Sequence, residues 1–215
     1  MHRFRFDNEN IEVSNGLSKK QALMIGFDLL KKLVERHRSK EHKGMEKKPA
    51  VVFDIDGTAI FNYGEGDQRQ KRNSTLFGIY NWCLQNDVLV FFLTARPEFP
   101  ENRESTIRDL AKAGYMAGGY RELIMRPMHD YYTRGSNYSN YKASERTRLS
   151  RFFKLLLNVG DTLLDMAPLQ SFSGYPISDE LLESFRLINP KLSYVLVLPN
   201  SIPHLNVKLN NEISG

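Results

Sequence analysis

Five short apolar runs most constrain the fold of this 215-residue chain. Each run is nearly continuous, and segments with the periodicity of amphipathic helices separate most of them. Strands that are apolar on both faces are typical of parallel sheets covered by helices on each side. The sequence therefore predicts an α/β fold, in three layers, around a five-stranded parallel sheet. The predicted strands cover residues 50–53, 88–93, 123–125, 155–159 and 194–198.

Helical periodicity predicts one long helix before this core and four helices within it. The first covers residues 17–38 and has Ser18 as its N-cap. We expect an N-terminal helix and basic connection over residues 1–48 that pack on a core over residues 49–215. The remaining helices are predicted over residues 76–84, 104–113, 141–153 and 179–187.

The positive charge of the chain is concentrated in one segment. Thirty Lys and Arg against 25 Asp and Glu give +5 at neutral pH, and residues 31–48 alone hold eight basic and three acidic side chains. The rest of the chain is neutral, so its charge does not indicate nucleic acid at the functional site. The basic segment is either an anion-docking patch or a solvated linker.

One cysteine, Cys83, excludes an intrachain disulfide and a multi-cysteine zinc site. The amino terminus has no apolar stretch of signal-peptide length, and the apolar run at residues 88–93 is too short to cross a bilayer. We therefore expect a soluble, cytoplasmic protein with no membrane contact.

Two polar segments are interpreted as loops near the carboxyl ends of parallel strands, where open α/β sheets place their sites. Residues 61–73 are polar and glycine-rich, too short for a folded domain, and predict a flap over an open site. Residues 129–141 either stack a nucleotide or pack at the sheet edge. They hold Tyr131, Tyr132, Tyr138 and Tyr141.

The strongest chemical signal is the hexapeptide FDIDGT at residues 53–58. Asp54 and Asp56 follow a buried strand at a spacing of two, so both carboxylates are expected in a crevice at the sheet edge. Two close carboxylates repel each other unless one is protonated or a cation lies between them. The alternative is a solvated turn, in which Asp and Gly are common.

A second acidic cluster repeats this construction. Gly160, Asp161 and Asp165 follow the apolar run at residues 155–159. If both strands are central, Asp54, Asp56 and Asp161 converge in an all-oxygen environment suited to Mg²⁺. Asp165 either converges on the same point or is a helix-start residue or a carboxylate behind this site.

Two further polar residues are weaker candidates. Thr94 ends the second predicted strand, where a hydroxyl can donate to a phosphate oxygen, although Thr at such a position is often structural. Lys142 begins a helix before the second acidic cluster, where it can neutralise carboxylate and phosphate, or be solvated.

Together these residues resemble the four motifs of the haloacid dehalogenase-like (HAD) phosphatases, across about residues 17–200. The long first helix and the VLPN sequence at residues 197–200 further resemble the class B and class C acid phosphatases, although Gly57 stands where that branch usually has Glu. The resemblance implies a Rossmann-like fold with a minimal loop cap. The matching motifs are Asp54-x-Asp56-Gly57-Thr58, Thr94, Lys142 and Gly160-Asp161-x-x-x-Asp165.

The resemblance also implies roles for these residues. Asp54 would be the nucleophile that forms an aspartyl-phosphate, and Asp56 the general acid and base. Thr94 and Lys142 would bind the transferring phosphoryl group, and Lys142 would also restrain Asp54. Mg²⁺ would be bound by Asp54, by the backbone carbonyl of Asp56 and by Asp161. Asp165 would lie behind the metal site.

Three functions remain open from the sequence. The first is a Mg²⁺-dependent phosphomonoesterase acting through an aspartyl-phosphate on a small phosphorylated metabolite or nucleotide. The second is a nucleic-acid end phosphatase that removes a 3′ phosphate, so nucleic acid is a possible but not a required partner. The third is a catalytically inert phosphate-binding module. The sequence indicates no oligomeric state.

Overall fold

The computed structural model describes residues 2–6, 9–41, 47–61, 71–134, 139–161, 193–198 and 204–208. The chain forms a mixed α/β fold. Its strands are β1 (His2–Phe6), β2 (Glu9–Leu17), β3 (Pro49–Phe53), β4 (Ile60–Phe61), β5 (Lys71–Arg72), β6 (Leu89–Pro97), β7 (Glu122–Arg126), β8 (Lys154–Gly160), β9 (Ser193–Leu198) and β10 (His204–Lys208). Its helices are α1 (Lys19–Glu41), α2 (Ser74–Gln85), α3 (Pro100–Lys112), α4 (Met128–Arg134) and α5 (Ser139–Phe152).

The central sheet has the strand order β1-β2-β9-β10-β8-β3-β6-β7. The strands from β10 to β7 run parallel to one another, whereas β1, β2 and β9 pair antiparallel at the other edge. Strand β3 lies in the middle of the parallel block, with Phe53 opposite Phe92 of β6 and Val159 of β8. The parallel block and its helices confirm the predicted fold class.

The strands of the sheet differ from the prediction at one side. Residues 194–198 do form a strand, but β9 is antiparallel, and the fifth parallel strand is β10. The sequence HLNVK of β10 alternates polar and apolar residues, so a search for continuous apolar runs misses it. The β1–β2 hairpin was missed for the same reason, since HRFRF also alternates.

Strands β3, β6, β7 and β8 are largely buried, as the continuous apolar runs predicted. Val51 and Phe53 of β3 belong to a core cluster with residues of α1, α2 and α3. The alternate residues of the same strand, Ala50 and Val52, belong to a second cluster with residues of α5. Helices therefore cover both faces of the parallel block, and its polar chemistry is confined to the strand ends.

Helix α1 begins at the predicted cap. Ser18 Oγ accepts a hydrogen bond from the Gln21 backbone N–H at 3.2 Å, and Gln21 Oε1 accepts one from the Ser18 N–H at 2.9 Å, so the two residues form a capping box. The helix ends at Glu41, beyond the predicted residue 38, and its buried residues join the main core. Residues 42–46 of the basic segment lie outside the described residues, and the division of the chain at residue 48 stays a prediction.

Both segments predicted as loops contain regular structure. Residues 61–73 begin and end in the β4–β5 ribbon, in which Ile60 pairs with Arg72; residues 62–70 lie outside the described part. Residues 129–141 fall mostly in α4 and the start of α5, so the prediction of a loop there was wrong. Arg126, at the end of β7, binds α4: its Nε donates to Asp130 Oδ2 at 2.6 Å. Sequence periodicity does not reveal this contact.

The predicted helix over residues 179–187 lies outside the described residues. Within the described ranges, no helix combines the length and the apolar character needed to cross a membrane.

Candidate active site

Strand β3 carries the first acidic motif to the carboxyl edge of the sheet. The Asp54 backbone N–H donates to the Val159 carbonyl at 2.9 Å, which continues the β3–β8 pairing past the end of β3. The chain then turns through Gly57, whose φ of +74° is a conformation that favours glycine. The turn closes where the Gly57 N–H donates to the Ile60 carbonyl at 2.9 Å. Asp54 and Asp56 therefore stand on a fixed turn at the sheet edge.

Asp54 is a buried carboxylate with a donor on each oxygen. Its side chain is 6% exposed, and that of Lys142 is 4% exposed. Lys142 Nζ lies 2.7 Å from Asp54 Oδ1, and the Thr58 hydroxyl donates to Oδ2 at 3.1 Å. The ammonium group compensates the cost of burying the carboxylate, and the two donors fix its orientation.

Asp56 points toward a different partner. Its carboxylate receives hydrogen bonds from Arg96, with Nη2 at 2.7 Å from Oδ1 and Nε at 3.0 Å from Oδ2. The Thr94 hydroxyl lies 3.4 Å from the same Oδ2 and accepts from the Arg96 backbone N–H at 3.2 Å. The Asp56 side chain is 41% exposed, so this ion pair lies at the mouth of the site.

Arg96 is shared between two carboxylates. Its Nη1 donates to Asp109 Oδ2 at 2.9 Å and to the Thr106 hydroxyl at 3.1 Å, both on α3. Burial alone would lower the pKa of Arg96, but the hydrogen bonds and charges of Asp56 and Asp109 outweigh it and raise that pKa. The guanidinium therefore stays charged and joins α3 to the turn after β3.

Asp161 lies directly after β8, next to β3, and is buried. It is thus at the same sheet edge as Asp54, as the sequence predicted. Among the described residues, no group of three or more His, Cys, Asp and Glu side chains is placed to hold a metal ion. The Asp56 carboxylate is instead bound by Arg96. The carboxylates of Asp54 and Asp161 and the backbone carbonyl of Asp56 are oxygen donors, the ligand chemistry that a hard divalent cation prefers.

The structure brings together most of the sequence candidates. Lys142 contacts Asp54, and Thr94 contacts Asp56. Asp161 lies at the same edge, and Asp165 lies outside the described residues.

Four partners in the site were not identified from the sequence: Thr58, Arg96, Thr106 and Asp109. Thr58 belongs to the quoted motif but was given no role. Arg96 follows Thr94 at a spacing of two, which places both side chains on one face of β6, and this charge in a buried strand was a usable signal. Nothing in the sequence links Asp109 to Arg96.

A cluster of aromatic side chains lies beyond the carboxyl ends of β6 and β7. The ring centroids of Phe99, Tyr131 and Tyr132 are 5.7–6.1 Å apart with edge-to-face geometry. Tyr132 is 68% exposed, and Arg126 lies over the ring of Tyr131. We call these three rings the aromatic platform. It is at the same sheet edge as the acidic motif and is anchored by the buried Arg126.

A parallel α/β block with two aspartates and a buried lysine at its carboxyl edge agrees with the resemblance to the HAD-type phosphatases. The family model for the HAD superfamily, subfamily IIIB (acid phosphatase), matches residues 64–203, and the chain belongs to this family. Its members are phosphomonoesterases, so the chain is classed as a phosphoric monoester hydrolase. The match begins after Asp54 and Asp56, so the structure alone places those residues.

Solved structures show the same fold. The Class C acid phosphatase from Bacillus anthracis is 16% identical, with 92% of this chain and 79% of that chain covered and a TM-score of 0.53. The same protein with tungstate bound gives a TM-score of 0.56 at the same identity and coverage. No curated protein matches the sequence. HAD phosphatases generally use a divalent metal ion, which agrees with the oxygen donors at the sheet edge.

Proposed function

We propose that the chain is a Mg²⁺-dependent phosphomonoesterase that forms an aspartyl-phosphate on Asp54. The observation that carries the proposal is the buried Asp54–Lys142 pair at the carboxyl edge of the sheet, in a member of an acid phosphatase family. The substrate class we propose is a small phosphorylated metabolite or nucleotide.

Asp54 has the environment that a carboxylate nucleophile needs. Lys142 compensates its charge, and Thr58 and Lys142 restrain its rotation, so that an oxygen is presented to phosphorus. Attack on the phosphomonoester forms the Asp54 acyl-phosphate bond and breaks the bond between phosphorus and the ester oxygen. Water then attacks the aspartyl-phosphate, which releases inorganic phosphate and regenerates the Asp54 carboxylate.

Asp56 is proposed as the acid and base of these two steps. In its protonated form it gives a proton to the departing ester oxygen, and the carboxylate that this leaves takes a proton from the attacking water. Its partly exposed side chain lies where a leaving group enters from solvent. Because both of its oxygens bind Arg96, this contact orients the carboxylate before the substrate arrives.

Lys142 and Thr94 are proposed to bind the phosphoryl oxygens, since a buried ammonium and a hydroxyl at a strand end both donate to anions. Mg²⁺ would be bound by Asp54, Asp161 and the backbone carbonyl of Asp56, with Asp165 behind it. A bound divalent ion neutralises phosphate charge and makes phosphorus more electrophilic.

The aromatic platform supports a nucleotide among the possible substrates. Aromatic side chains stack on nucleobases, and Tyr131 and Tyr132 are exposed at the edge that holds Asp54. A nucleic-acid 3′-end phosphatase would use the same platform, so it is the second candidate. An inert phosphate-binding module is the third, although Asp54, Asp56, Lys142 and Asp161 are all present.

A panel of phosphate esters tests the proposal. Phosphate release is measured for an alkyl phosphate, a nucleoside monophosphate and a 3′-phosphorylated oligonucleotide, with Mg²⁺ and after chelation, at two salt concentrations. We expect Mg²⁺-dependent release from the small esters. Release only from the oligonucleotide, with affinity falling steeply with salt, would favour the end phosphatase. No release from any ester would favour the inert module.

A further inference from the structure

We propose that Asp109 and Thr106 of α3 are positioning residues that act on Asp56 through the Arg96 guanidinium. This inference rests on the proposed function, in which Asp56 transfers the protons. It concerns residues that do not touch the carboxylates of Asp54 or Asp56 and that the proposed chemistry does not use.

The geometry of Arg96 carries the inference. The planar guanidinium donates in two directions. Nε and Nη2 bind Asp56, and Nη1 binds Asp109 and Thr106. An arginine fork holds a carboxylate in one orientation when its own plane is fixed. The contacts of Nη1 with Asp109 and Thr106 restrain that plane, because rotating the guanidinium would break them.

The exposed fraction of the side chains decreases from Asp56, through Arg96, to the two residues of α3. The Asp56 side chain is 41% exposed, Arg96 is 21% and Asp109 is 17%, while Thr106 is fully buried. Asp109 and Thr106 are three residues apart, so both lie on one face of α3, next to the fully buried Leu110. The packed face of α3 therefore sets the position of Arg96, and Arg96 sets that of Asp56.

Displacing Asp56 should slow the departure of the leaving group more than the other steps, because that departure needs a proton from Asp56. Departure of an alkoxide needs a proton, whereas departure of p-nitrophenolate does not, because its leaving group is already a weak base. The value of kcat/KM includes events up to leaving-group departure, and excludes the later attack of water. The ratio of kcat/KM for an alkyl phosphate to that for p-nitrophenyl phosphate therefore reports the placement of Asp56.

The test compares Asp109→Asn with Glu104→Gln. Glu104 is a matched control because it is an exposed acid on the same helix, paired only weakly with Arg108 at 3.6 Å. We expect Asp109→Asn to lower kcat/KM for the alkyl phosphate about tenfold, the low end of the effect of losing an outer positioning partner, with p-nitrophenyl phosphate changed less than about twofold. Glu104→Gln should leave both values at those of the parent.

Thr106 supplies a second pair of variants should Asp109→Asn fail to fold. Thr106→Ser keeps the hydroxyl that accepts from Arg96 Nη1, and Thr106→Val removes it while keeping the branched shape. We expect Thr106→Val, and not Thr106→Ser, to lower the ratio of kcat/KM for the alkyl phosphate to that for p-nitrophenyl phosphate. An equal loss for both esters would indicate general damage to the fold and would overturn the inference, as would an unchanged ratio in both Asp109→Asn and Thr106→Val.

Asp56→Asn is measured in the same series to separate the two proposals. If Asp56→Asn lowers the ratio and the α3 variants do not, the positioning role is wrong and the proposed function stands. If Asp56→Asn leaves the ratio unchanged, the acid role of Asp56 is wrong and the inference fails with it. If the parent hydrolyses neither ester, the proposed function itself fails. If Asp56→Asn and Asp109→Asn both lower the ratio, and together lower it no further than Asp56→Asn alone, the inference is supported.

Discussion

Lys142 Nζ lies 2.7 Å from Asp54 Oδ1, and the two side chains are both buried although 88 residues separate them in the chain. This ion pair joins the end of β3 to the first turns of α5. Breaking a buried pair from one side leaves a charge without compensation, which costs far more than the pair contributes. We therefore expect the loss of either partner to lower both the stability of the fold and the phosphatase activity.

Replacing Lys142 tests that expectation. We expect Lys142→Met to lower the free energy of unfolding by about 3 kcal/mol, because Asp54 is left buried without its cation. Phosphatase turnover should fall about 10²-fold or more, because a phosphoryl-binding charge is also lost. Urea unfolding and steady-state kinetics measure the two effects. Lys112→Met, an exposed position at the end of α3, is the control and should change stability by less than about 0.5 kcal/mol. A Lys142→Met variant as stable as the parent would contradict the buried pair.

Asp56→Asn separates binding from turnover. We expect kcat to fall about 10²-fold or more, since general acid and base catalysis is lost. The affinity for inorganic phosphate, measured by titration calorimetry, should change by less than about threefold, because Lys142 and Thr94 still bind the anion. Full turnover by this variant would refute the acid–base role.

The aromatic platform predicts a preference among leaving groups. The double variant Tyr131→Ala, Tyr132→Ala should raise KM for a nucleoside monophosphate about tenfold, since stacking of a base contributes about 1–3 kcal/mol. KM for ribose 5-phosphate, which has no base, should stay near the parent value. Phe152→Ala is the control because Phe152 is exposed at the end of α5. Equal effects on the two substrates would mean that the rings only pack against each other.

Cys83 predicts a dependence of stability on pH. Burial raises the pKa of this thiol from 9.0 to about 12, because the thiolate is disfavoured inside the core. The folded state therefore holds the thiol proton more tightly than the unfolded state, and the resulting stabilisation is fully present below pH 9 and is lost between pH 9 and 12. The comparison is urea unfolding of the parent and of Cys83→Ala at pH 8 and pH 10.5.

The difference in unfolding free energy between these two proteins should shrink by about 2 kcal/mol at the higher pH. Other titrating groups are common to both and cancel. The same difference at both pH values would show that the thiol ionises as easily in the folded protein as in the unfolded one.

Sequence patterns predicted the parts of the fold that depend on local burial. Strands β3 and β8 are apolar on both faces, so the aspartates that directly follow them stand out in the sequence as candidate site residues. Strands β10 and β1 alternate in polarity and were missed, because only continuous apolar runs were interpreted as strands.

The sequence predicted which residues form the candidate site, but not all of the contacts between their side chains. Lys142 with Asp54 was expected. That Asp56 binds Arg96 depends on which rotamer the carboxylate adopts, and that Arg96 also binds Asp109 depends on how α3 packs. Such contacts arise from tertiary packing, which the sequence pattern does not predict. The cytoplasmic location stays a prediction.

Asp54→Asn, measured with p-nitrophenyl phosphate in the presence of Mg²⁺ and after chelation, tests the central claim most directly. The account predicts Mg²⁺-dependent release by the parent and a loss of at least about 10³-fold in the variant, with the fold retained by circular dichroism. Asp28→Asn, an exposed acid on α1 paired with Lys31, is the matched control and should keep full activity. An Asp54→Asn variant as active as the parent would contradict the assignment of Asp54 as the nucleophile.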